Sequence, residues 1–409
     1  MRDPLLSTPP PRAPNDRNER RFKKITSPCE WVEDYHPGGY HPVHLGNVFN
    51  NQYKVLRKLG KGSYSTVWLA RDLKYVALKI LVSEISEPTR ELQILRHIAE
   101  SAEGNRHITQ LLDEFKHHGP NGSHICLVFE PMGPSANSMV EALPQFNPPN
   151  IRMKIRYPPW MAKSILRQSL EALAFLHNNG LAHGDFQPGK ILFALDDINS
   201  KPEDVFQQEE NMTSPPVQRL DGKNDPWAPR YLYIAQPLVS FTPYTKGFKV
   251  KLSDMGGAYF FTDPPAKPVT PRGLRAPELV LAGTVDKTLD IWSFGCLLFE
   301  LVTGEPLFCL GALPDALFRQ WKGPSLYFTP ERKLFNCRLG GVREGTKPLM
   351  VEQKSMEEMF DEAGPDLEEE EARGVKALIR RILQYNPAER PSAAEILRDP
   401  WFCEEDLSS

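Results

Sequence analysis

A short polar loop at residues 183–190 separates two apolar segments and constrains the fold of this chain more than any other stretch. Before the loop, residues 165–181 carry apolar side chains at helical spacing, and after it residues 191–193 have the composition of a buried strand. The loop contains Asp185, and an aspartate in a turn usually has a structural role only. Whether Asp185 has a chemical role therefore depends on the motifs on either side.

Bulk composition is that of a globular protein and argues against several classes of partner. The chain has 409 residues, 40% of them hydrophobic and 25% charged. A net charge of −3 gives no reason to expect direct binding of nucleic acid. No apolar run approaches the ~18 residues that span a bilayer, and residues 1–4 do not begin a secretory signal. We therefore expect a monomer of the cytoplasm and nucleus without membrane association.

Cysteine usage excludes two further classes. The six cysteines are scattered along the chain without a CxxC pair. This pattern is not that of a zinc site or of a dense disulfide framework, so free thiols in a reducing compartment are expected.

Composition also divides the chain into segments. Residues 1–30 are rich in Pro, Arg, Asn and Ser and predict a disordered tail. Within them, residues 20–24 form a basic cluster that is either a nuclear-import patch or simply solvated. Residues 31–52 supply aromatic anchors and form a lead-in segment to a domain at 53–402, after which residues 403–409 form a short tail.

Hydrophobic periodicity predicts an α+β fold with two lobes. Residues 53–130 read as strands with one helix, and residues 134–402 read mainly as helices, one of which, at 289–301, is apolar on all sides. The proline and glycine between them mark a hinge. The prediction is therefore bilobal: a small β-rich lobe followed by a larger α-helical lobe.

Two stretches interrupt this pattern. Residues 196–246 are rich in Pro, Gln, Asn and Asp, and their central part looks like a flexible insert. Residues 304–374 are of mixed composition, and within them residues 357–371 carry nine acidic and no basic side chains. That run is either a docking surface for a basic partner or a solvated acidic loop.

Two features of the β-rich lobe can bind phosphate. The turn Gly60-x-Gly62 lets backbone N–H groups approach phosphate oxygens, although a plain hairpin has the same pattern. Lys79 lies in an apolar strand, where an unpaired ammonium is costly to bury. Either Lys79 faces solvent, or it binds phosphate and is held by Glu91. The alternative for Glu91 is a solvated position on a helix.

Two motifs follow the central loop. Asp254-Met255-Gly256 comes directly after a strand and suits a hard divalent cation, although a type I turn has the same pattern. Ala276-Pro277-Glu278 precedes the apolar helix, and Arg390 follows much later. We expect Glu278 and Arg390 to form a buried ion pair.

The order of these motifs resembles the protein-kinase signature set. Each motif is common, but their joint occurrence in this order over residues 50–402 is not. The series runs through the glycine turn, strand lysine, helix glutamate, hinge, His-x-Asp loop, Asp-x-Gly, Ala-Pro-Glu, Asp-x-Trp-x-x-Gly (residues 290–295) and the late arginine. The resemblance implies a bilobal protein-kinase-like fold.

A narrower resemblance is to the SR-protein kinases. Residues 33–43 look like the segment leading into their catalytic domain, and residues 59–70 look like their phosphate loop. That loop has Ser65 in place of the third glycine. The insert at 196–246 is similar in position to the spacer that splits their domain.

This resemblance implies phosphorylation of serines in basic Arg/Ser-rich splicing factors, with ATP and Mg²⁺ as cofactors. Asp185 would accept the substrate hydroxyl proton, Lys79 would hold phosphates with Glu91, and Asp254 would bind Mg²⁺. The implied partners could dock on an acidic surface such as residues 357–371. The implied ATP-binding positions are Gly60, Lys61, Gly62, Ser65, Val67, Ala77, Lys79, Glu91, Glu130 and Met132.

Two positions in the loop depart from the kinase pattern. Gln187 replaces the lysine that normally contacts the γ-phosphate, and Lys190 replaces the asparagine that binds a second Mg²⁺. A charged lysine cannot be a metal ligand. Three hypotheses follow: a non-specific serine/threonine protein kinase linked to mRNA splicing, an ATP-binding pseudokinase that binds basic or splicing-related partners, and a nucleotide-independent scaffold. Gly184, where many kinases have arginine, argues against activation by loop phosphorylation.

Overall fold

The computed structural model describes residues 20–86, 89–101, 105–146, 155–280, 285–307, 318–319, 329, 331–333, 350 and 354–403. Its contacts divide the chain into two compact units. The first unit comprises residues 1–135 and 192–253, and the second comprises residues 136–191 and 254–409. Across the residues that the structure describes, no helix is both long enough and apolar enough to cross a membrane.

A six-stranded antiparallel sheet forms the centre of the first unit, with strand order β1-β2-β3-β4-β6-β5. The strands are β1 (Val48–Phe49), β2 (Tyr53–Gly62), β3 (Ser65–Arg71), β4 (Tyr75–Leu81), β5 (Leu111–Gly119) and β6 (Gly122–Phe129). All seven residues of β4 are buried because it is a central strand covered on both faces. Helix α1 (Arg90–Glu100) begins after Thr89, whose hydroxyl accepts a hydrogen bond from the Leu92 N–H at 3.2 Å.

Residues 20–30, predicted to belong to a disordered tail, are folded onto the first unit. The Phe22 side chain is 1% exposed, and the Arg21 guanidinium binds the Glu33 carboxylate at 3.0 Å. The Glu30 carboxylate accepts a hydrogen bond from the Tyr35 hydroxyl at 2.6 Å and pairs with the buried Lys58 ammonium. For residues 20–30 the prediction of disorder was wrong, because a few apolar and charged side chains are enough to anchor a polar stretch. Residues 1–19 of the predicted tail lie outside the described residues.

The insert at 196–246 is likewise folded, whereas its composition predicted a flexible segment of the helical lobe. Ile198, Phe206 and Leu238 are buried against β2, β3 and β4 residues of the first unit. The Arg57 guanidinium of β2 donates to the Phe206 carbonyl at 3.0 Å. The Gln208 side-chain oxygen accepts from the Lys58 N–H at 3.0 Å. Polar side chains of the insert and of β2 therefore form hydrogen bonds with backbone groups of the other, although the sequence alone would place them in solvent.

The described residues of the second unit are mainly helical. The helices are α2 (Ala136–Ala142), α3 (Pro159–Asn178), α4 (Pro277–Val280), α5 (Thr288–Thr303), α6 (Met356–Ala363), α7 (Glu369–Ile382), α8 (Ala393–Ile396) and α9 (Pro400–Cys403). Helix α5 is buried on all sides, as predicted, and packs against α3 and α7. The predicted Glu278–Arg390 pair is present, bidentate and buried, with its atoms 2.5 and 2.7 Å apart.

Four short strands complete the described structure. Strand β7 (Leu181–Ala182) pairs antiparallel with β10 (Tyr259–Phe260) in the second unit. Strands β8 (Ile191–Phe193) and β9 (Val250–Leu252) form a separate two-stranded sheet. The polar loop at 183–190 therefore leaves β7 and enters β8, as its flanking apolar segments predicted.

Candidate active site

The glycine turn of the first unit connects β2 to β3, with Gly62 opposite Ser65 in the strand register. A Cβ atom added at Gly60 would meet nothing within 4 Å, so the backbone there is open to an approaching phosphate group. The Tyr40 hydroxyl of the lead-in segment donates a hydrogen bond to the Gly62 carbonyl at 2.6 Å. The turn is thus held from outside the sheet.

A second contact fixes the same turn. The Lys61 ammonium donates to the Cys29 carbonyl. Lys61 was predicted to bind ATP. This contact directs its side chain to the backbone of residue 29, in the folded part of the predicted tail, so any part of Lys61 in nucleotide binding falls to its backbone.

The predicted Lys79–Glu91 pair is present. The Lys79 Nζ lies 2.5 Å from the Glu91 Oε1, and the two side chains are 11% and 7% exposed. On the strands, Val67 lies opposite Lys79 and Ala77 opposite Phe129. A buried ammonium held by one carboxylate is the arrangement in which a lysine can be kept charged and positioned for phosphate.

Hinge residues of the first unit are also fixed by contacts. The Glu130 carboxylate accepts two bonds from the Lys251 ammonium, at 2.6 and 2.7 Å, and one from the Gln110 N–H at 3.0 Å. Met132 is 7% exposed. Because the Glu130 side chain is occupied, the nucleotide contact implied for this position is one of the backbone.

In the second unit, Asp290 anchors the central loop. Its carboxylate accepts hydrogen bonds from the His183 N–H and the Gly184 N–H, each at 2.8 Å, and lies 3.0 Å from the His177 Nε2. Burial opposes its ionisation, but the bonds from His177 and the loop backbone hold the pKa of Asp290 below its ordinary value. A buried charge at the start of α5 therefore positions the two residues that precede Asp185.

Gly184 has a backbone conformation that explains why the position lacks a side chain. Its φ is +71°, and an added Cβ would lie 2.4 Å from the Gly257 carbonyl oxygen. The Gly184 carbonyl accepts a 2.6 Å hydrogen bond from the buried Thr270 hydroxyl. The buried threonine at 270 thus holds the backbone of the central loop directly before Asp185.

Four polar side chains of the second unit meet at the loop: Asp185, Gln187, Lys190 and Asp254. The Gln187 amide donates to the Asp185 Oδ1 at 2.7 Å. The Lys190 ammonium forms an ion pair with the Asp254 Oδ2 and lies 3.6 Å from the Asp185 Oδ2. The two departures from the kinase pattern therefore contact the catalytic and metal-binding candidates directly.

Of the two carboxylate residues in this cluster, Asp254 has an uncommon backbone conformation and Asp185 has a raised pKa. Asp254 has φ +62° and ψ +81°, a left-handed conformation that is uncommon for a non-glycine residue and is typical of functional sites. Burial raises the pKa of Asp185, an effect that the Lys190 ammonium partly offsets. A carboxylate with a raised pKa is a better proton acceptor when ionised, as a general base requires.

The oxygen ligands that this cluster can offer fit one divalent ion. Asp254 supplies a carboxylate, and Mg²⁺ is commonly held by one or two carboxylates together with substrate phosphates and water. Lys190 supplies an ammonium where a second ion would need an oxygen ligand, so the residues present do not fit a second ion. Within the described part of the chain, no group of three or more His, Cys, Asp or Glu side chains forms a preassembled metal site.

The acidic run at 357–371 is largely paired. Arg380 binds Glu357, Lys376 binds Asp361 and Lys354 binds Glu362, the last two at 2.7 and 2.6 Å. Glu358 closes the capping box of α6, and Glu371 accepts from the Trp401 indole at 2.9 Å. Residues of the run therefore form α6 and the first turn of α7, where acidic side chains interact favourably with the helix dipole. Several of these side chains also face solvent.

The sequence placed Asp290 in a kinase motif and Tyr40 among the anchors of the lead-in segment without indicating the contacts of either, and it did not single out His177. A buried aspartate at the start of an apolar helix was a signal for Asp290, because such a charge requires donors. Nothing in the local sequence points to the contact between Tyr40 and Gly62, since the two residues are far apart in the chain.

The described geometry defines a class of protein: a glycine turn, a paired buried lysine, an anchored His-x-Asp loop and a strained Asp-x-Gly. The family profile of the protein kinase domain matches residues 53–207 and 242–402, leaving part of the insert between its two segments. The chain therefore belongs to the protein kinase family.

Individual relatives narrow the class. The chain is 30% identical over 92% of its length to a Physarum polycephalum serine/threonine-protein kinase SRPK, covering 91% of that protein. It is 27% identical over 93% of its length to the Schizosaccharomyces pombe protein kinase dsk1, covering 86% of it. It is also 26% identical over 94% of its length to the Homo sapiens dual specificity protein kinase CLK2, covering 68% of that protein. The chain is a divergent serine/threonine protein kinase of the SRPK/CLK type, which implies the use of ATP and a divalent metal ion.

A solved structure agrees with the fold. The crystal structure of a kinase domain with 23% sequence identity superposes with a TM-score of 0.56, covering 89% of this chain and 98% of the other. This similarity supports the bilobal kinase fold, with its β-rich sheet and its mainly helical part.

Proposed function

We propose that this chain transfers the γ-phosphoryl group of ATP to serine hydroxyls in Arg/Ser-rich protein segments, with Mg²⁺ as its metal ion, and thereby regulates mRNA splicing. The observation that carries the proposal is the state of Asp185. Its loop is anchored by Asp290, one of its oxygens is held by Gln187, and its pKa is raised by burial.

The chemistry follows from these positions. The serine Oγ forms a bond to the γ-phosphorus while the bond from that phosphorus to the bridging oxygen of ADP breaks, and the hydroxyl proton passes to the Asp185 carboxylate. Lys79, fixed by Glu91, neutralises phosphate charge. Mg²⁺ held by Asp254 would supply further charge neutralisation. Positioning and electrostatics carry the reaction, so few covalent roles are needed.

The substrate class is supported by the SRPK relatives and by charge. An Arg/Ser-rich peptide is strongly cationic and favours an acidic surface. The run 357–371 forms ion pairs with basic residues outside it, and among its acidic residues Glu368 and Glu369 have no side-chain partner assigned within the described part of the chain. We propose these two as the docking contacts, and we propose that the protein acts as a monomer in cytoplasm and nucleus.

The test is incorporation of radioactive phosphate. Purified chain, Mg-ATP and an Arg/Ser-repeat peptide should give phosphoserine, and a peptide with alanine for arginine should give far less. Asp185→Asn should lower the rate by at least ~10³-fold, as for removal of other catalytic groups. Asp197→Asn, an exposed aspartate of the insert, is the matched control and should leave the rate unchanged. Equal rates for wild type and Asp185→Asn would overturn the proposal.

One observation favours a second function, nucleotide binding without transfer. Lys190 pairs with Asp254 and lies near Asp185, so it neutralises both groups that the reaction needs. A binding module of this kind would retain basic or splicing-related partners without turnover. It predicts no phosphate incorporation by wild type and a gain of activity in the double variant Gln187→Lys/Lys190→Asn. A wild type that turns over rapidly excludes it.

A further inference from the structure

The loop keeps one positive charge but carries it three positions later than the kinase pattern does. In that pattern a lysine at the position of Gln187 contacts the γ-phosphate, and an asparagine at the position of Lys190 holds a second Mg²⁺. Here the position of the lysine has an amide, and the position of the asparagine has an ammonium. The charge has therefore moved from the phosphate-facing position of the loop to the metal-facing one.

Each replacement has a defined contact. The Gln187 amide donates to Asp185 at 2.7 Å, so it orients this carboxylate without adding charge. The Lys190 ammonium is paired with the Asp254 carboxylate, and the Asp185 Oδ2 lies 3.6 Å away. Lys190 thus sits between the two carboxylates of the site.

Charge balance explains what the ammonium does there. Two carboxylates close together repel each other and would also repel a polyphosphate. One ammonium halves that negative charge, and its three N–H donors are enough to serve a carboxylate and a phosphate oxygen together. The Lys190 and Asp254 side chains are 24% and 33% exposed, so solvent and ligand can reach the pair.

We propose that the Lys190 ammonium is a built-in cation that takes the place of the second divalent ion, so that this kinase binds ATP with one divalent ion. The inference depends on nucleotide binding, which the proposed function includes, and does not depend on phosphoryl transfer. Lys190 is a positioning residue for the phosphates, and Asp254 remains the ligand of the single ion.

The first test counts metal ions directly. Mn²⁺ is titrated into the full-length chain saturated with a non-hydrolysable ATP analogue, and bound Mn²⁺ is measured by electron paramagnetic resonance. Wild type should bind one Mn²⁺ per nucleotide. Lys190→Asn restores an oxygen ligand and should bind two. Two ions in wild type, none in wild type, or an unchanged count in a folded Lys190→Asn would each overturn the proposal.

A second variant keeps the proposal testable if Lys190→Asn fails to fold. Lys190→Met has similar length without charge, and it should weaken binding of metal-free ATP, measured by calorimetry in EDTA, by roughly ten- to a hundredfold, as for loss of a charge-assisted hydrogen bond. Lys354→Asn removes an exposed ion pair to Glu362 and should leave this affinity unchanged. Unchanged affinity in Lys190→Met would contradict the proposal.

The outcomes separate this inference from the proposed function. One bound Mn²⁺ and charge-dependent ATP binding, found together with no phosphate incorporation, would support Lys190 as the built-in cation and reject transfer. Rapid phosphate incorporation by a wild type that binds two Mn²⁺ would support transfer and reject the role of Lys190.

Discussion

The Tyr40 hydroxyl donates a 2.6 Å hydrogen bond to the Gly62 carbonyl and so connects the lead-in segment to the glycine turn. The segment is itself fixed, because Gly39 packs so closely that an added Cβ would lie 1.9 Å from the Asp34 carbonyl oxygen. The lead-in segment is therefore a structural support of the glycine turn.

Removing this bond should weaken nucleotide binding. Tyr40→Phe loses one hydrogen bond of about 1 kcal/mol, which predicts an increase of about fivefold in KM for ATP and little change in KM for the peptide. Steady-state kinetics with each substrate varied in turn measures this. Tyr244→Phe, at an exposed position of the insert, is the control. Equal effects on both KM values would argue against a specific contact with the turn.

The buried pair of Lys58 and Glu30 should be important for stability. Both side chains are at most 2% exposed, so Glu30→Gln leaves a buried ammonium without its counter-ion and should lower the free energy of unfolding by about 3 kcal/mol. Urea unfolding measures the change. The exposed pair of Lys54 and Glu203 is the control, for which loss of either partner should cost under ~1 kcal/mol. A negligible effect of Glu30→Gln would mean that residues 20–30 are not folded in solution.

Acid should destabilise the first unit through a histidine cluster. The rings of His117 and His124 lie 4.6 and 5.0 Å from that of His41, and burial together with these neighbours lowers the pKa of His41 to about 3. An unfolded histidine protonates near pH 6.5, so the unfolded state binds more protons below that pH. The stability is present in full above pH 6.5 and is lost progressively as the pH falls toward 3.

The measurement is urea unfolding at several pH values. At pH 4.5 the wild type should have lost about 2–3 kcal/mol through His41, and His41→Phe should show a flatter profile. His118→Gln, at an exposed position of β5, should follow the wild-type profile. A profile for His41→Phe that matches wild type would show that the cluster does not titrate as described.

The fall in kcat/KM at low pH should reflect protonation of Asp185. Burial raises its pKa and the Lys190 ammonium lowers it. Activity requires the ionised carboxylate, so kcat/KM should fall as the pH drops through a value above 3.8, the ordinary pKa of the group. Lys190→Met should move this limb to higher pH, because the offsetting charge is lost. A limb that does not move in the variant would show that Lys190 does not act on Asp185.

What the sequence predicted well rests on the pairing of buried charges and the covering of apolar faces. A lysine in a buried strand needs a partner, which made Glu91 a candidate, and a buried glutamate near the apolar helix needed Arg390. The fold class followed from the change between strand and helix periodicities. These inferences require only that buried charges be paired and that apolar faces be covered.

What it missed depends on distant partners. The insert was predicted to be flexible because its polar residues have no visible partners locally, whereas Gln208 and Phe206 meet β2 residues about 150 positions away. The acidic run was considered alone, and its basic partners such as Lys376 and Arg380 come from the following helix. Both predictions depended on contacts between residues that are separate in the sequence and meet only in the folded chain.

Phosphate incorporation into an Arg/Ser-repeat peptide, measured for wild type beside Asp185→Asn and Lys190→Asn, decides whether this chain transfers phosphate. Wild type should produce phosphoserine, and Asp185→Asn should lower the rate by at least ~10³-fold. Wild type that incorporates no more phosphate than Asp185→Asn, together with a clear gain in Lys190→Asn, would contradict phosphoryl transfer by this chain and leave a nucleotide-binding protein without transferase activity.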